Sequence, residues 1–320
     1  MAVYTEIDTA NIEELLERYD VGRLTTWHGI AEGVENSNFF VATDRQRCVL
    51  TIYEKRVDPD DLPFFLGLMR HLADRGIRCP VPLEAKNGQA LQEVLGKPAA
   101  LVTFLEGYAV RRITVPMCHD LGRALAAMHV AGQDYRLSRP NALGHSGWRP
   151  LFSACAARAD EVAPGLADEV SGELETLARD WPTDLPRGVI HADLFPDNVF
   201  FDGERVSGLI DFYFACSEIL VYDLAICLNA WCFERDGSYN ATKARALTRG
   251  YGEVRPLDRR EIESLPLLAS GAAMRFLLTR LYDWLHRVEG ALVTPKDPTE
   301  YLKKLRFHRG LDGPGLYGLA

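Results

Sequence analysis

Residues 189–212 read VIHADLFPDNVFFDGERVSGLIDF. Positions 188–190, 199–201 and 206–210 are short apolar runs with the composition of buried strands, and Asp202-Gly203 supplies a hairpin turn between the last two. Polar side chains sit just past the runs: His191, Asp193, Asp197, Asn198 and Asp211. Carboxylates at the ends of apolar strands are costly unless something uses their charge. The stretch therefore reads as a site built on strand ends.

The spacing says which chemistry. Asp193-Leu194 followed by Asn198 matches the pattern D-L-x-x-x-N of a kinase catalytic loop, with His191 just ahead of it. Asp211-Phe212 follows one hairpin later, where such chains carry D-F-G. A hydroxyl nucleophile needs one carboxylate to orient it and accept its proton, the role expected of Asp193. Mg²⁺ on a triphosphate needs hard oxygen ligands, the role expected of Asn198 and Asp211. Single pieces say little, because an Asn before a strand also caps ordinary turns. The ordered set points to phosphoryl transfer. His191 reads as structural, and Asp197 as either a turn residue or a supporting carboxylate.

At 320 residues the chain has room for two domains or one two-lobed one. A formal net charge of −9 with no basic stripe argues against a nucleic-acid partner and leaves a small zwitterionic or cationic substrate compatible. The 7 cysteines include no C-x-x-C pair and lie mostly in apolar context, so they read as reduced core residues of a cytoplasmic protein. The histidines show no zinc spacing. No apolar run reaches the roughly 18 residues of a membrane span, and the N-terminus turns acidic, unlike a signal peptide. Monomer and homodimer both stay open.

The N-terminal third reads as a small lobe. Strands are expected over 24–27, 39–43, 47–53, 91–94 and 99–104, and helices over 9–19, capped by Thr9, and 58–75, capped by Asp58. Between the first two strands, 29–38 forms a loop whose glycines, Gly29 and Gly33, let backbone N–H groups lie over phosphates, although glycine serves ordinary turns as well. Glu106-Gly107 marks the joint, where backbone groups can meet an adenine edge. Beyond it helices are expected over 119–131, 148–161, 166–181, 220–232, 240–251, 258–265 and 269–287 and in the tail, with 212–218 as loop. Asp223 lies in a very apolar helix and needs a partner: catalytic-loop backbone or a substrate amine. Arg275 and Arg280 either grip a substrate carboxylate or make structural salt bridges.

Seven stretches carry a resemblance: 29–38 (GIAEGVENSN), 50–56 (LTIYEKR), 104–107 (FLEG), 122–129 (GRALAAMH), 191–200 (HADLFPDNVF), 209–214 (LIDFYF) and 222–231 (YDLAICLNAW). On these the chain resembles the aminoglycoside phosphotransferase and choline kinase superfamily and, over its whole length, the bacterial homoserine kinases within it. The resemblance implies an α+β, two-lobed protein-kinase-like fold, with a small antiparallel-sheet lobe over 1–105 and a larger, mostly helical lobe over 106–320. It implies transfer of the γ-phosphoryl group of ATP to the side-chain hydroxyl of L-homoserine, in threonine biosynthesis. Asp193 would be the catalytic base and Asn198 and Asp211 the Mg²⁺ ligands. Gly29, Gly33, Ser37 and Asn38 would form the phosphate loop, and Glu106 would lie at the adenine hinge. Two departures stand out. Thr51 occupies the place of the usual basic residue on the third strand, with Lys55 the nearby cation. Tyr213 replaces the glycine of D-F-G, which argues against a movable activation segment, and the lack of an A-P-E element argues against a protein substrate. Tyr213, Asp223, Arg275 and Arg280 are the candidate acceptor contacts. The alternatives are a kinase of the same fold acting on choline, an aminoglycoside or another amino-alcohol, and a non-enzymatic nucleotide-binding protein. Retention of Asp193, Asn198 and Asp211 together speaks against the last.

Overall fold

The structure is a computed structural model that describes residues 5–30, 36–54, 57–287 and 295–319. It divides into two compact units: Met1–Gly107 with Tyr135–Leu137 and Gly208–Tyr213, and the remainder.

The first unit is built on an antiparallel sheet. Its strands are β1 (Leu24–Ile30), β2 (Ser37–Thr43), β3 (Arg47–Ile52), β4 (Leu91–Val94) and β5 (Lys97–Thr103), in the order β1-β2-β3-β5-β4. Strand alternation sends Phe39, Val41, Cys48, Leu50, Ile52, Ala99 and Leu101 into one core with Ile12, Leu15 and Leu16 of helix α1 (Thr9–Leu16). Ser37 and Lys97 share that parity. The cap of α1 is Asp8 rather than the expected Thr9: the Asp8 side chain accepts the Asn11 N–H, and the Asn11 side-chain oxygen accepts the Asp8 N–H. Helix α2 (Leu62–Asp74) follows a short 3₁₀ turn, Pro59–Asp61, which Asp58 caps.

The second unit is mostly helical. Its helices are α3 (Val115–Ala131), α4 (His145–Ser153), α5 (Leu166–Asp180), α6 (Leu220–Trp231), α7 (Ala241–Val254), α8 (Arg259–Leu285) and α9 (Thr299–Arg309). Two small sheets accompany them. In one, β6 (Tyr108–Ala109) pairs with β8 (Val199–Asp202), which neighbours β9 (Arg205–Leu209). In the other, β7 (Arg187–Ile190) pairs antiparallel with β10 (Cys216–Ile219). The strand β10 falls in the segment expected to be loop. It forms because β7 needs a partner for its backbone groups and Cys216, Glu218 and Ile219 bury their side chains there. Helices α3 and α7 cross backbone to backbone. A Cβ on Gly122 would stand 2.1 Å from the Leu247 carbonyl oxygen, and one on Gly250 would stand 2.0 Å from that of His119, so only glycine fits the crossing.

Two helix expectations change. The helices expected over 258–265 and 269–287 are one 27-residue helix, α8, which runs through Pro266. A helix-interior proline costs about 3 kcal/mol. Full burial of Leu265 and Leu268 beside it, at about 1.5–3 kcal/mol per side chain, offsets that cost. Conversely, 148–161 is broken: α4 ends at Ser153 and a 3₁₀ turn, Ala156–Glu161, follows. All 7 cysteines are buried and unpaired. No helix among the described residues is long and apolar enough to cross a membrane.

Candidate active site

The loop 191–198 leaves β7 and closes in a 3₁₀ turn, Pro196–Asn198, that feeds β8. Within it Ala192 has φ +63°, a left-handed conformation that costs a residue with a Cβ about 1–2 kcal/mol. Buried side chains from two helices impose it. Asp223 on α6 accepts the N–H of His191 at 2.7 Å and the N–H of Ala192 at 2.9 Å. Arg275 on α8 donates from Nη1 to the Ala192 carbonyl. Further along, Trp231 Nε1 donates to the Leu194 carbonyl at 2.8 Å, and the Asp193 N–H donates to His191 Nδ1 at 3.3 Å. Asn198 donates from Nδ2 to the Asp193 carbonyl at 2.7 Å and to its Oδ2 at 3.1 Å. The loop backbone is held from inside, while Asp193 and Asn198 themselves stay partly exposed.

The electrostatics of the clamp depend on a residue that the sequence reading did not single out. Asp223 is fully buried. Burial would raise its carboxyl, but the His129 bond, the charges of His129 and His191 and the His191 N–H hold it below the ordinary aspartate range. His129 Nε2 lies 3.2 Å from Asp223 Oδ2, and its Nδ1 lies 2.8 Å from the Tyr251 hydroxyl. Helices α3, α6 and α7 thus meet in one buried polar chain that ends on the loop backbone.

This geometry corrects several expectations. Asp223 is unavailable to a substrate amine, because both oxygens are spent on loop N–H groups and none of its surface is exposed. Arg275 is only 2 % exposed and supports Ala192, with its guanidinium carbon 5.6 Å from the centre of the Phe214 ring and 4.6 Å from that of Phe276. Arg280 does not present a free charge: it pairs with Glu300 at 2.7 Å and donates to the Asp297 carbonyl at 3.2 Å. Glu300 is held down to about 2, its burial being outweighed by Lys304 and Arg280. Ser37 is not a phosphate contact. Its hydroxyl is fully buried on the α1 face of the sheet, accepts the Thr5 N–H at 3.0 Å and donates to Glu54 Oε1 at 2.8 Å. Lys97 closes that cluster at 2.5 Å from Glu54 Oε2.

The remaining candidates are placed as follows. Asn38 lies on the opposite face, where its Oδ1 accepts the Thr51 hydroxyl at 2.8 Å. Gly29 sits in β1 opposite Phe39. The Glu106 side chain is exposed and paired with Arg47. The Tyr213 hydroxyl is 3.2 Å from that of Tyr53, its ring stands edge-on to Tyr53 and Phe65, and burial pushes it up to about 12. Asp211 belongs to the sheet-bearing unit, has φ +65°, and is raised to about 6 by burial despite a bond from the Tyr213 backbone. Gly33 and Lys55 lie outside the described residues. Of the proposed site residues, Asp193 and Asn198 are brought into direct contact.

Residues 26–257 match the family model described as the phosphotransferase enzyme family. The homoserine kinase of Xanthobacter autotrophicus is 62% identical over 320 residues, 100% of both chains. This chain belongs to the homoserine kinase family. The homoserine kinase of Parvibaculum lavamentivorans is 60% identical over 319 residues, 100% of this chain and 99% of that one. Among solved structures, amicoumacin kinase in complex with AMP-PNP, Ca²⁺ and Ami matches this family member with a TM-score of 0.70 at 15% identity, covering 95% of this chain and 92% of that one. Spectinomycin phosphotransferase matches with a TM-score of 0.67 at 15% identity, covering 98% of each. At such identities the likeness is one of fold: the mixed α+β, sheet-plus-helix kinase architecture.

Proposed function

We propose that this member of the homoserine kinase family transfers the γ-phosphoryl group of ATP to the side-chain hydroxyl of L-homoserine. The reading is carried by full-length identity to homoserine kinases in a chain that keeps Asp193 on a loop fixed by buried charges. Asn198 donates to Oδ2 of Asp193, and the proposed task of this partly exposed carboxylate is to receive the acceptor hydroxyl. The carboxylate aligns the hydroxyl oxygen with the γ-phosphorus and takes its proton as the new O–P bond forms and the bond from phosphorus to the ADP leaving group breaks. In a loose transition state, alignment matters more than early deprotonation.

The amide oxygen of Asn198 and the Asp211 carboxylate are the proposed Mg²⁺ ligands. Among the described residues no three His, Cys, Asp or Glu side chains cluster as a metal site. Magnesium does not require one, because it takes one or two carboxylates and fills its shell with water and phosphate oxygens. Asp211 fits the part, since burial holds its carboxyl at about 6 and a cation would relieve that. Bound Mg²⁺ supplies charge neutralisation on the phosphate oxygens. Gly29 and Gly33, together with Lys55, are the proposed phosphate grip, and Glu106-Gly107 the proposed adenine hinge. The buried, unpaired thiols suit work in a reducing cytoplasm.

Release of ADP with a panel of acceptors tests the reading. L-Homoserine should support turnover, choline and an aminoglycoside should not, and Asp193→Asn should lower it about 10³-fold. Preference for either other acceptor, or full activity of Asp193→Asn, overturns it.

A further inference from the structure

Arg275 is used twice in this fold. Its Nη1 holds the Ala192 carbonyl, and the residue also forms part of the wall of a cavity of about 410 Å³. The rest of that wall is mainly apolar and comes from α4 and the residues flanking it and from the next turns of α8: Leu143, Trp148, Leu151, Ala154, Thr279 and Tyr282. All of these residues lie in the helical unit, and none belongs to the loop 191–198. Arg275 is 2 % exposed, yet its Nε has no hydrogen-bond partner. A buried guanidinium donor without an acceptor is costly and marks a place for an anion. Among the described residues no carboxylate lines the cavity, and the other ionisable group of its wall is the Tyr282 phenol, so no anionic side chain there would meet an ammonium group. That disfavours amino acids, homoserine included, as occupants. A phosphate dianion would leave excess charge in an apolar chamber with one cation. A carboxylate carries a single charge and matches the guanidinium fork, and the apolar wall matches a hydrocarbon body.

We infer that this cavity binds a small aliphatic monocarboxylate, with its carboxylate on Arg275 and its chain against Leu143, Trp148 and Leu151, separate from the place where the acceptor hydroxyl meets Asp193. Such a ligand would be linked to the catalytic loop through the bond from Arg275 to Ala192. Binding does not rest on the kinase reading, and only the kinetic arm of the test does.

Isothermal titration calorimetry on the full chain decides it, with hexanoate as the probe and hexan-1-ol as its neutral counterpart. Hexanoate should bind saturably at one site, and hexan-1-ol should bind about tenfold or more weakly. Ala154→Trp, at an exposed position on the cavity wall, should abolish hexanoate binding without lowering Tm. Arg275→Met should bind the two probes alike. In turnover assays hexanoate should leave the KM for homoserine unchanged. The inference fails if hexanoate does not saturate, if hexan-1-ol binds equally well to the unmodified chain, or if Ala154→Trp binds hexanoate normally. Competition of hexanoate with homoserine would also overturn it, by making the cavity the acceptor site. Absence of homoserine turnover would count against the kinase reading alone, since calorimetry needs none.

Discussion

In the helical unit, Asp223 and Arg275 turn their charges on peptide groups and hold Ala192 in a conformation it would not choose. At the sheet end of the other unit, Thr5, Ser37, Glu54 and Lys97 turn theirs on one another. Both groups are partly or wholly buried and both are hydrogen-bonded. They differ in what would be lost. Removing a member of the first group frees a backbone whose shape positions Asp193, whereas removing one of the second loosens a packing contact on the α1 face. Buried polarity is therefore not a functional mark by itself. What matters is whether the chain segment that it fixes carries a reactive group.

The comparison can be broken in several ways. Asp193→Asn should lower kcat about 10³-fold while leaving stability within about 0.5 kcal/mol; stopped or coupled ADP assays beside a urea melt measure both. A large stability loss would mean that Asp193 belongs to the clamp. Asp223→Ala strips His129 and two loop N–H groups of their partner at once and should cost about 3–5 kcal/mol of folding free energy, with kcat falling as well. A cost under about 1 kcal/mol would show that the clamp is not what holds the loop. Ser37→Ala should cost about 1 kcal/mol and leave the KM for ATP unchanged; a tenfold rise in that KM would return Ser37 to the phosphates. The smallest effect is expected at Glu300, whose side chain is 52% exposed. Its carboxyl lies at about 2 in the fold against a reference of 4.5. The stabilisation is therefore present above pH 4.5 and is lost as pH falls towards 2. The stability gap between the unmodified chain and Glu300→Gln should close over that window, as acid titrations of Tm would show.

How far the sequence could be read depended on the kind of signal. Alternation in β2 and β3 and the stripe of α1 were visible because burial imposes a period. The same alternation places Ser37 with Phe39 and Val41, so its inward orientation was available. The motif reading passed over it. His129 also left a trace, since it continues the stripe of Leu121 and Leu125 on α3 at four-residue steps. That Asp223 needs a partner followed from its apolar helix. Two of its partners are main-chain N–H groups, which have no letter in a sequence, and so the sequence leaves the choice between backbone and amine open. Strand β10 is only 4 residues long, too short for a periodic signal, and α8 continues through Pro266 because neighbouring leucines bury there. The homoserine kinase family itself was legible from the seven stretches, and full-length identity bears that reading out.

The bond from Arg275 to Ala192 joins residues 83 positions apart. A ribosome releases the loop long before it has made the helix that shapes it. The growing chain can carry every reactive group of the site and still lack a usable arrangement of them. Catalytic competence is therefore among the last properties that the nascent protein acquires, and a product truncated before α8 would be inert even if its sheet were fully formed.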